Sequence, residues 1–463
     1  MTDNVIPQFD SELICRLDRN GPRYTSYPTA DRFTAAFDAS AYAAWQKRGA
    51  ASAVARPLSL YVHIPFCNTI CFYCGCNKVV TRNRARAGEY LDYLTREARL
   101  HSALIPDSPR VEQLHLGGGT PTYLDLVQIG QLMDMLRANF GFSPRFEGSI
   151  EIDPRSVSTD TIHGLRELGF DRVSFGVQDF EPAVQRAVNR IQPLESSASA
   201  LEAARAAGFR SVNIDLIYGL PKQSLESVAR TLREVVNLRP DRIAFYSYAH
   251  LPTLFKPQRR ILDSDLPAPA VKLAILGDAI RTLTKAGYVH IGMDHFALAD
   301  DELALAQRQG RLHRNFQGYS THSHCDLIGL GASAIGMIGP TYYQNQRTLQ
   351  GYYACLERGE LPVMRGIALS PDDLARRAVI QALMCHFQVV KDDIELPGDL
   401  EFEHYFAREL EELSDLANEG LLSLERDAIS VTARGRLLIR PIAMVFDAHL
   451  RADQERRRYS KVI

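Results

Sequence analysis

Residues 58–76 read LSLYVHIPFCNTICFYCGC, a short apolar run followed by a loop that holds four of the chain's eight cysteines. Residues 58–64 carry aliphatic and aromatic side chains on both faces, which is typical of a strand buried in a parallel sheet. A disulfide framework would spread its cysteines through a small chain. Half of the cysteines of a 463-residue chain crowded into one loop therefore indicate a metal site.

Runs of the same kind recur along the chain and alternate with helical segments. The predicted strands are 58–64, 111–116, 149–152, 172–177, 211–217 and 242–247, and the predicted helices lie near 86–104, 124–139, 157–168, 195–207 and 224–238. Three helix ends carry a glycine followed by an aromatic residue, at Gly169, Gly208 and Gly287, as expected where a helix leads into a strand. These βα units predict an α/β fold, an incomplete (β/α)6 parallel barrel, whose ligands bind at the carboxyl ends of the strands.

Composition and charge restrict the class of protein. The chain is 46% hydrophobic and 23% charged, with a formal net charge of -2, so it can bury a full core. The near balance of charges argues against general attraction to nucleic acid or acidic membranes. The first residues lack the pattern of a secretory signal, and no stretch approaches the ~18–20 apolar residues of a membrane span. These features predict a cytoplasmic protein.

The cysteine loop has the spacing C-x3-C-x2-C at Cys67, Cys71 and Cys74, followed by Cys76. Three thiolates can hold three irons of a cubane iron–sulfur cluster, which leaves the fourth iron open for chemistry. A structural zinc ion would require a fourth ligand, which Cys76 or His63 could supply. The position of the loop after the first strand of a βα array favours the cluster, since it faces the ligand-binding edge of the sheet.

Further polar residues follow the predicted strands. The glycine run 117–119 with Thr120 ends the second strand, where the missing Cβ atoms let a ligand approach the backbone. Glu151 ends the third strand and offers a carboxylate to a ribose or an ammonium group. Three more residues extend this set, namely Gln178, Arg190 and Asp215. A structural ion pair is the alternative for Asp215, because a charged residue inside an apolar strand is costly unless it is paired.

The flanking regions differ in pattern from the βα array. Residues 1–56 form a predicted N-terminal arm, 57–365 the barrel domain and 366–463 a mainly helical C-terminal domain. Within the last domain, residues 415–446 read as helix, strand, strand and helix, which resembles a winged-helix unit. No basic recognition face is evident, so a packing role is favoured over nucleic-acid binding. The basic run 456–458 is interpreted as a solvated terminus.

The cysteine spacing, with Tyr73 directly before the third cysteine, resembles the signature of the radical S-adenosylmethionine superfamily. The resemblance implies that Cys67, Cys71 and Cys74 hold one 4Fe–4S cluster and that the methionyl group of S-adenosylmethionine chelates the open iron. It places Tyr73 near the adenine. Cys76 has no ligand role in that pattern, and we expect it to be important without coordinating iron.

Four longer motifs resemble the oxygen-independent coproporphyrinogen III oxidase family. They are PRYTSYPT at 22–29, CGCNK at 74–78, HLGGGTPT at 115–122 and NFQGY at 315–319. The resemblance implies conversion of the ring A and B propionates of coproporphyrinogen III to vinyl groups, with two S-adenosylmethionine molecules. It places Tyr61, Gly118, Glu151 and Ile335 at the cluster-bound cofactor, and Gly119, Thr120, Gln178, Arg190, Asp215 and Ala249 at the second. Phe316 and Gln317 match positions needed for activity, and Tyr61, Glu151 and Cys76 join them as candidate catalytic residues.

The same resemblance implies partners and leaves alternatives. A low-potential electron donor of the flavodoxin or ferredoxin type is expected. No nucleic-acid or membrane partner is expected. The absence of a coiled-coil pattern predicts a monomer. Arg23 is a candidate to cover the pocket and meet a substrate carboxylate, with a surface ion pair as the alternative. The related haem chaperone typically lacks the Cys-x-Cys element and the arm, both present here. A zinc protein with winged-helix DNA binding would leave the glycine and carboxylate residues unexplained.

Overall fold

The computed structural model describes residues 5–50, 56–105, 110–398 and 400–452. The chain groups into two compact units, described separately below. The sheet unit comprises residues 33–267 and 324–368, and the terminal unit comprises residues 1–32, 268–323 and 369–463. This grouping by contact differs from the three consecutive segments expected from the sequence, because residues 268–323 group with the two termini. The basic run 456–458 lies outside the described residues.

A parallel sheet forms the centre of the sheet unit. Its parallel strands are β1 Leu58–Ile64, β2 Val111–Gly118, β3 Phe142–Ile152, β4 Arg172–Gln178, β5 Ser211–Tyr218, β6 Arg242–Ser247 and β7 Asp326–Leu330. Their order is β7-β1-β2-β3-β4-β5-β6. Beyond β7 the sheet continues with antiparallel strands, namely β8 Ile335–Ile338, β9 Thr341–Asn345 and β10 Val363–Ala368. Because β1 to β6 are parallel, all their carboxyl ends meet at one edge.

Helices connect these strands and cover the sheet. Within the array they are Ala85–Ser102, Leu126–Asn139, Thr159–Glu167, Pro182–Ala187, Leu194–Ala206 and Leu225–Leu238, and Ala39–Ala50 and Leu349–Glu357 flank it. Gly169 and Gly208 have φ values of 105° and 81°, the left-handed conformation that ends a helix at little cost only for glycine. The helix-to-strand turns predicted from the sequence are thereby confirmed.

The predicted α/β fold is confirmed. All six predicted strands are present, and the first and last of them have the predicted bounds. The seventh parallel strand, β7, was not predicted. It lies in the run 327–338, which three glycines interrupt, and glycine weakens any strand pattern read from sequence alone.

The terminal unit is mainly helical. Its larger helices are Ser11–Leu17, Pro269–Lys285, Glu302–Arg308, Pro371–His386 and Ala407–Asn418. Small antiparallel groups accompany them, namely Tyr288–Gly292 with His295–Leu298, His313–Asn315 with Gly318–Ser320, and Ala428–Val431 between Gln388–Val390 and Leu422–Leu424. No helix among the described residues is long and apolar enough to cross a membrane.

The predicted helix–strand–strand–helix order is present near the C-terminus, but its helices differ from those expected at 415–421 and 432–446. The first is longer and earlier, Ala407–Asn418, and the second is reduced to a 3-10 turn, Arg436–Leu438, and the short helix Ile439–Met444. Pro441 explains the short second helix, because proline is tolerated in the first turn of a helix and breaks a longer one.

Residues 10–27 pack on the C-terminal part of the terminal unit. Tyr24 and Tyr27 are 1% exposed and belong to its hydrophobic core. The hydroxyl of Tyr24 donates to Asp447 at 2.9 Å. The guanidinium of Arg440 donates to the carbonyls of Gly21 and Pro22. The proline-rich segment is therefore fixed by buried aromatic rings and backbone hydrogen bonds.

Candidate active site

A cavity of about 480 Å³ lies at the carboxyl ends of the parallel strands, within the usual size range of small-molecule sites. Most of the predicted site residues line it, namely Cys67, Cys71, Tyr73, Cys74, Cys76, Gly118, Gly119, Thr120, Glu151, Gln178, Arg190 and Asp215. Residues separated by up to 148 positions in sequence thus meet in one place because their strands share an edge.

Backbone contacts hold the cysteine loop over this edge. The amide of Val79 donates to the carbonyl of Pro65 at 2.7 Å, and the amide of Phe72 donates to the carbonyl of Val188 at 3.0 Å. A Cβ atom at Gly119 would lie 2.8 Å from the backbone of Pro65 and Phe66. Only glycine therefore lets the loop after β2 approach the cysteine loop this closely.

Two side chains direct hydrogen-bond donors at the cysteine sulfurs. Oγ1 of Thr120 lies 3.6 Å from Sγ of Cys67, and Nη1 of Arg190 lies 3.7 Å from Sγ of Cys71. Donors of this kind stabilise thiolates that ligate an iron–sulfur cluster and adjust its potential. The thiol of Cys76 donates a hydrogen bond to Cys74, and this bond is the largest cause that lowers the pKa of Cys74 to about 6.

The spacing of the sulfurs fits a cluster better than a single zinc ion. Four-coordinate zinc, with Zn–S near 2.3 Å, would hold its sulfurs about 3.8 Å apart. Among the described residues, only Glu112, His324 and Cys325 place three ligand atoms within 4.8 Å of one another. The sulfurs of Cys67, Cys71 and Cys74 therefore do not all lie within 4.8 Å of one another, a wider arrangement than a single zinc ion would hold.

Arg190 joins the cysteine loop to β4 and to the loop after β3. Its two terminal nitrogens each lie 3.3 Å from an oxygen of Asp153, and Nη2 donates to the carbonyl of Gly176 at 2.5 Å. Burial opposes ionisation of Asp153, but its bonds to Arg155 and the charge of Arg190 hold the pKa of its carboxyl below the usual range. Arg190 is thus a buried, paired cation that also contacts Cys71.

We expect Arg190→Lys to lower the affinity for the cluster or the rate of turnover about 10- to 100-fold. This is the usual cost of losing a group that supports a metal ligand. An ammonium group cannot reproduce the forked contacts of the guanidinium to Asp153, Gly176 and Cys71 at once. Iron content and single-turnover rate measure the effect. Arg186→Lys, at an exposed position of the same segment, is the control, and equal losses in the two variants would contradict this role.

Glu151 lies at the centre of a second polar group. Its Oε2 accepts from the amide of Gly118 at 3.2 Å, and its Oε1 is 3.2 Å from Nε2 of His115. The ring of Tyr61 stacks on that of His115, with centroids 5.9 Å apart, and the Tyr61 hydroxyl is 3.0 Å from Nδ1 of His63. Burial and then the charge of Glu151 raise the pKa of Tyr61, so its hydroxyl stays protonated and can donate.

Asp215 is held inside the cavity wall by neutral partners. Ser174 donates to one carboxylate oxygen at 2.9 Å and Asn213 to the other at 2.7 Å. Burial, followed by the charge of Glu151, raises the pKa of Asp215 from 3.8 to about 6. The ion pair considered from the sequence is therefore not the observed arrangement, since the partners in these contacts are a hydroxyl and an amide.

The raised pKa of Asp215 predicts a pH-dependent stability. The folded state binds this proton more tightly than the unfolded chain, so the stabilisation is complete below pH 3.8 and is lost as the pH rises through about 6. Between pH 4 and pH 7 the free energy of unfolding of Asp215→Asn should rise relative to that of the wild type by on the order of 2 kcal/mol. Urea unfolding measures this difference. Asp134→Asn, at an exposed position, should show no such gain. Parallel pH profiles for Asp215→Asn and the wild type would contradict the prediction.

Three predicted cofactor residues, Tyr61, Ala249 and Ile335, are not among the residues that line the cavity. Tyr61 is in β1 and pairs with Gly329, and the backbone of Ile335 lies directly against Gly329. The carbonyl of Ala249 accepts from Nε2 of Gln258, which also donates to the carbonyl of Tyr73. Gln258 therefore connects the segment after β6 with the cysteine loop.

Phe316, Gln317 and Arg23 belong to the terminal unit. Phe316 and Gln317 form the tip of a hairpin in which Asn315 pairs with Gly318. The side-chain nitrogen of Gln317 is buried and has no hydrogen-bond partner among the described residues. Nη1 of Arg23 lies 2.5 Å from Oδ2 of Asp294. The ion pair considered as the alternative for Arg23 is thus present, and its role at a pocket stays a prediction.

Several cavity residues were not predicted as site residues, namely Arg155, Ser174 and Tyr246. Arg155 follows β3 by three positions, and Tyr246 lies near the end of β6, so the strand-end rule could have found both. Ser174 lies inside β4 and shows no signal of its own in the sequence. Its position in the cavity wall becomes visible only when β4 pairs with β5.

The chain is similar to known proteins over nearly its whole length. Residues 61–235 match the model of the Radical SAM superfamily, and residues 369–438 match that of the HemN C-terminal domain. Over 455 residues the chain is 52% identical to the oxygen-independent coproporphyrinogen III oxidase of Salmonella typhimurium, with 98% of each chain covered. The counterpart from Pseudomonas aeruginosa is 50% identical over 468 residues, with 100% of each chain covered.

A solved structure is similarly close. Coproporphyrinogen III oxidase from Escherichia coli, a radical SAM enzyme, superposes with a TM-score of 0.91 at 51% identity, over 96% of this chain and 100% of that one. The strand array and the cysteine-lined cavity are those of the radical S-adenosylmethionine superfamily, whose members use a 4Fe–4S cluster and S-adenosylmethionine. Within that superfamily, the chain belongs to the oxygen-independent coproporphyrinogen III oxidase family. The resemblance stated from the sequence motifs is confirmed.

Proposed function

We propose that this chain converts the ring A and B propionates of coproporphyrinogen III to vinyl groups and so forms protoporphyrinogen IX in haem synthesis. Each propionate loses carbon dioxide, one hydrogen atom and one electron. The observation that carries the proposal is the cavity in which three cysteines meet the polar ends of β2 to β5. Relatives at 50% to 52% identity over nearly the whole chain carry this activity in their names.

Cys67, Cys71 and Cys74 would hold one 4Fe–4S cluster, and the cavity would hold two S-adenosylmethionine molecules. When bound, these cofactors supply a 5′-deoxyadenosyl radical that removes a hydrogen atom from the substrate. Glu151 and the amide of Gly118 would orient the first cofactor molecule through its polar groups. Thr120, Arg190 and Asp215 would do the same for the second, since they offer a hydroxyl, a guanidinium and a carboxylate at the same edge.

The protein's own residues also govern protons and water at this site. Tyr61 keeps a protonated hydroxyl, 3.0 Å from Nδ1 of His63, because burial raises its pKa. Gln317 offers a buried amide nitrogen without a partner among the described residues, which suits a carboxylate acceptor on the substrate. We place Phe316 and Gln317 at the substrate and Cys76 next to the cluster cysteines without a ligand role. Arg23 would contribute to covering the pocket.

The remaining features complete the proposal. Electrons would come from a low-potential donor of the flavodoxin or ferredoxin type, because such clusters work at potentials of roughly -400 to -700 mV. We propose that the protein acts in the cytoplasm as a monomer, without a nucleic-acid or membrane partner. The arm, barrel and C-terminal segments, 1–56, 57–365 and 366–463, would act as its functional domains.

An anaerobic turnover assay tests the function. The reconstituted protein is incubated with dithionite, S-adenosylmethionine and coproporphyrinogen III, and protoporphyrinogen and methionine are quantified. We expect two decarboxylations per substrate, with at least one methionine released for each. Haem binding without turnover would instead indicate a chaperone of the same superfamily, and zinc in place of iron would overturn the proposal.

A further inference from the structure

A second cluster of metal-ligating side chains lies outside the cofactor cavity. Glu112, His324 and Cys325 each bring one ligand atom to the same place, so that an oxygen, a nitrogen and a sulfur lie within 4.8 Å of one another. Nε2 of His324 is 2.7 Å from Oε2 of Glu112. Cys325 is 3% exposed. This mixture of carboxylate, imidazole and thiol is the donor set that zinc accepts in proteins.

The group formed by Glu112, His324 and Cys325 lies at the amino ends of the strands, the edge opposite the cofactor cavity. Glu112 is the second residue of β2, and Cys325 directly precedes β7. β2 and β7 are the two neighbours of β1, and Leu58 pairs with the first residue of each, Val111 and Asp326. A metal ion bound here would tie together two strands that have no hydrogen bonds with each other.

The backbone at Glu112 is irregular in a way that favours this arrangement. Leu58 pairs with Val111 and Ser59 pairs with Gln113, so Glu112 is an extra residue on β2. The register toward β3 also shifts between Val111 and Gln113. Such a bulge leaves one residue unpaired and changes the direction of its side chain. Here that residue is the one whose carboxylate meets His324 and the buried thiol.

The local charges also favour a cation. Glu112 and Asp326 are acidic, and Arg56 is the nearby base, with its Nε 3.7 Å from Asp326. These three charged groups sum to -1, so a divalent cation would meet an excess of negative charge here. An ion pair of His324 with Glu112 would account for those two residues but not for the thiol between the strands.

We propose that Glu112, His324 and Cys325 form a binding site for one zinc-like divalent metal ion, with water as the fourth ligand. The site is distinct from the cluster cysteines and bridges β2 and β7 across the amino end of β1. Its expected consequence is a more stable sheet unit, since a ligand that binds only the folded state stabilises it. The proposal does not depend on the catalytic function.

Zinc retention by the cluster-loaded protein tests the proposal. The anaerobic holoenzyme is treated with excess Zn²⁺, desalted and analysed for zinc and iron. We expect one zinc per chain in addition to the cluster iron, and none in Cys325→Ser or His324→Ala. His324 has a side chain that is 54% exposed, so His324→Ala should fold even if Cys325→Ser does not. Cys355→Ser, a thiol in the helix Leu349–Glu357, should keep the zinc.

Cobalt supplies a second measurement of the same site. Co²⁺ bound in place of zinc should show a sulfur-to-cobalt charge-transfer band that is absent in Cys325→Ser. Zinc should raise the unfolding temperature of the wild type and of Cys355→Ser, but not that of Cys325→Ser. Failure of the wild type to retain zinc would overturn the proposal. Equal zinc in the wild type and Cys325→Ser would do so too, because it would place the metal elsewhere in the chain.

Discussion

Cys71→Ser is expected to remove the cluster and to reduce turnover more than about 1,000-fold, because the bound cofactors carry the chemical step. Cys71 lines the cavity with Cys67 and Cys74, and its sulfur receives a hydrogen bond from Arg190 at 3.7 Å. A serine hydroxyl is a poor ligand for iron and would leave that guanidinium facing a weaker acceptor. Iron and sulfide content, the visible absorption of the cluster and methionine release measure the loss.

A matched substitution separates the loss of a ligand from the loss of a thiol. Cys355→Ser changes a partly buried cysteine of the same unit that lies in a helix far along the chain. It should retain iron and turnover at the wild-type level. If Cys71→Ser kept a full cluster and turned over substrate normally, the assignment of these three cysteines as the cluster ligands would be wrong.

Glu97→Ala is expected to lower the free energy of unfolding by about 3–5 kcal/mol, because each buried donor that loses its acceptor costs about 1–3 kcal/mol. The Glu97 side chain is fully buried. Its carboxylate accepts from the amide of Gly331 at 2.7 Å, from Nδ2 of Asn345 at 2.6 Å and from the hydroxyl of Tyr352 at 2.5 Å. Alanine would leave three buried donors without this acceptor and would create a cavity.

Denaturant unfolding of Glu97→Ala, Glu97→Gln and Glu89→Ala distinguishes the network from the helix that carries it. Glu89 is exposed on the same helix, Ala85–Ser102, so Glu89→Ala should change stability by less than about 0.5 kcal/mol. Glu97→Gln keeps the shape of the side chain and one acceptor oxygen. Its loss of stability should therefore lie between those of Glu89→Ala and Glu97→Ala. A loss below about 1 kcal/mol in Glu97→Ala would show that the donors find other partners.

The Glu97 network also bears on the site, because its partners hold the turn between β7 and β8. Gly331 and Asn345 bond to Glu97, and the amide of Ala332 donates to the hydroxyl of Tyr90. That hydroxyl in turn donates to the carbonyl of His63 near the end of β1. Glu97 and Tyr90 together therefore connect the turn before Ile335 with the strand that carries Tyr61.

The sequence alone determined the features that depend on neighbouring residues. The bounds 58–64 and 242–247 were predicted as they are observed, because a short apolar run between polar turns is a local pattern. The spacing of Cys67, Cys71 and Cys74 indicated the kind of site for the same reason, since one tight loop brings the three thiols together. The glycine helix ends at Gly169 and Gly208 are equally local.

The tertiary structure decided everything that depends on residues far apart in the chain. β7 became a strand only by pairing with β1, since its glycines weaken the local pattern. The partners of Glu97 lie more than 230 residues away from it, and Glu112 meets His324 across 212 positions. No periodicity encodes such pairs, because they arise when parallel strands align and bring distant side chains to a shared edge. The sequence therefore contains the residues of both sheet edges, but only the order of the strands decides which of them meet in one site.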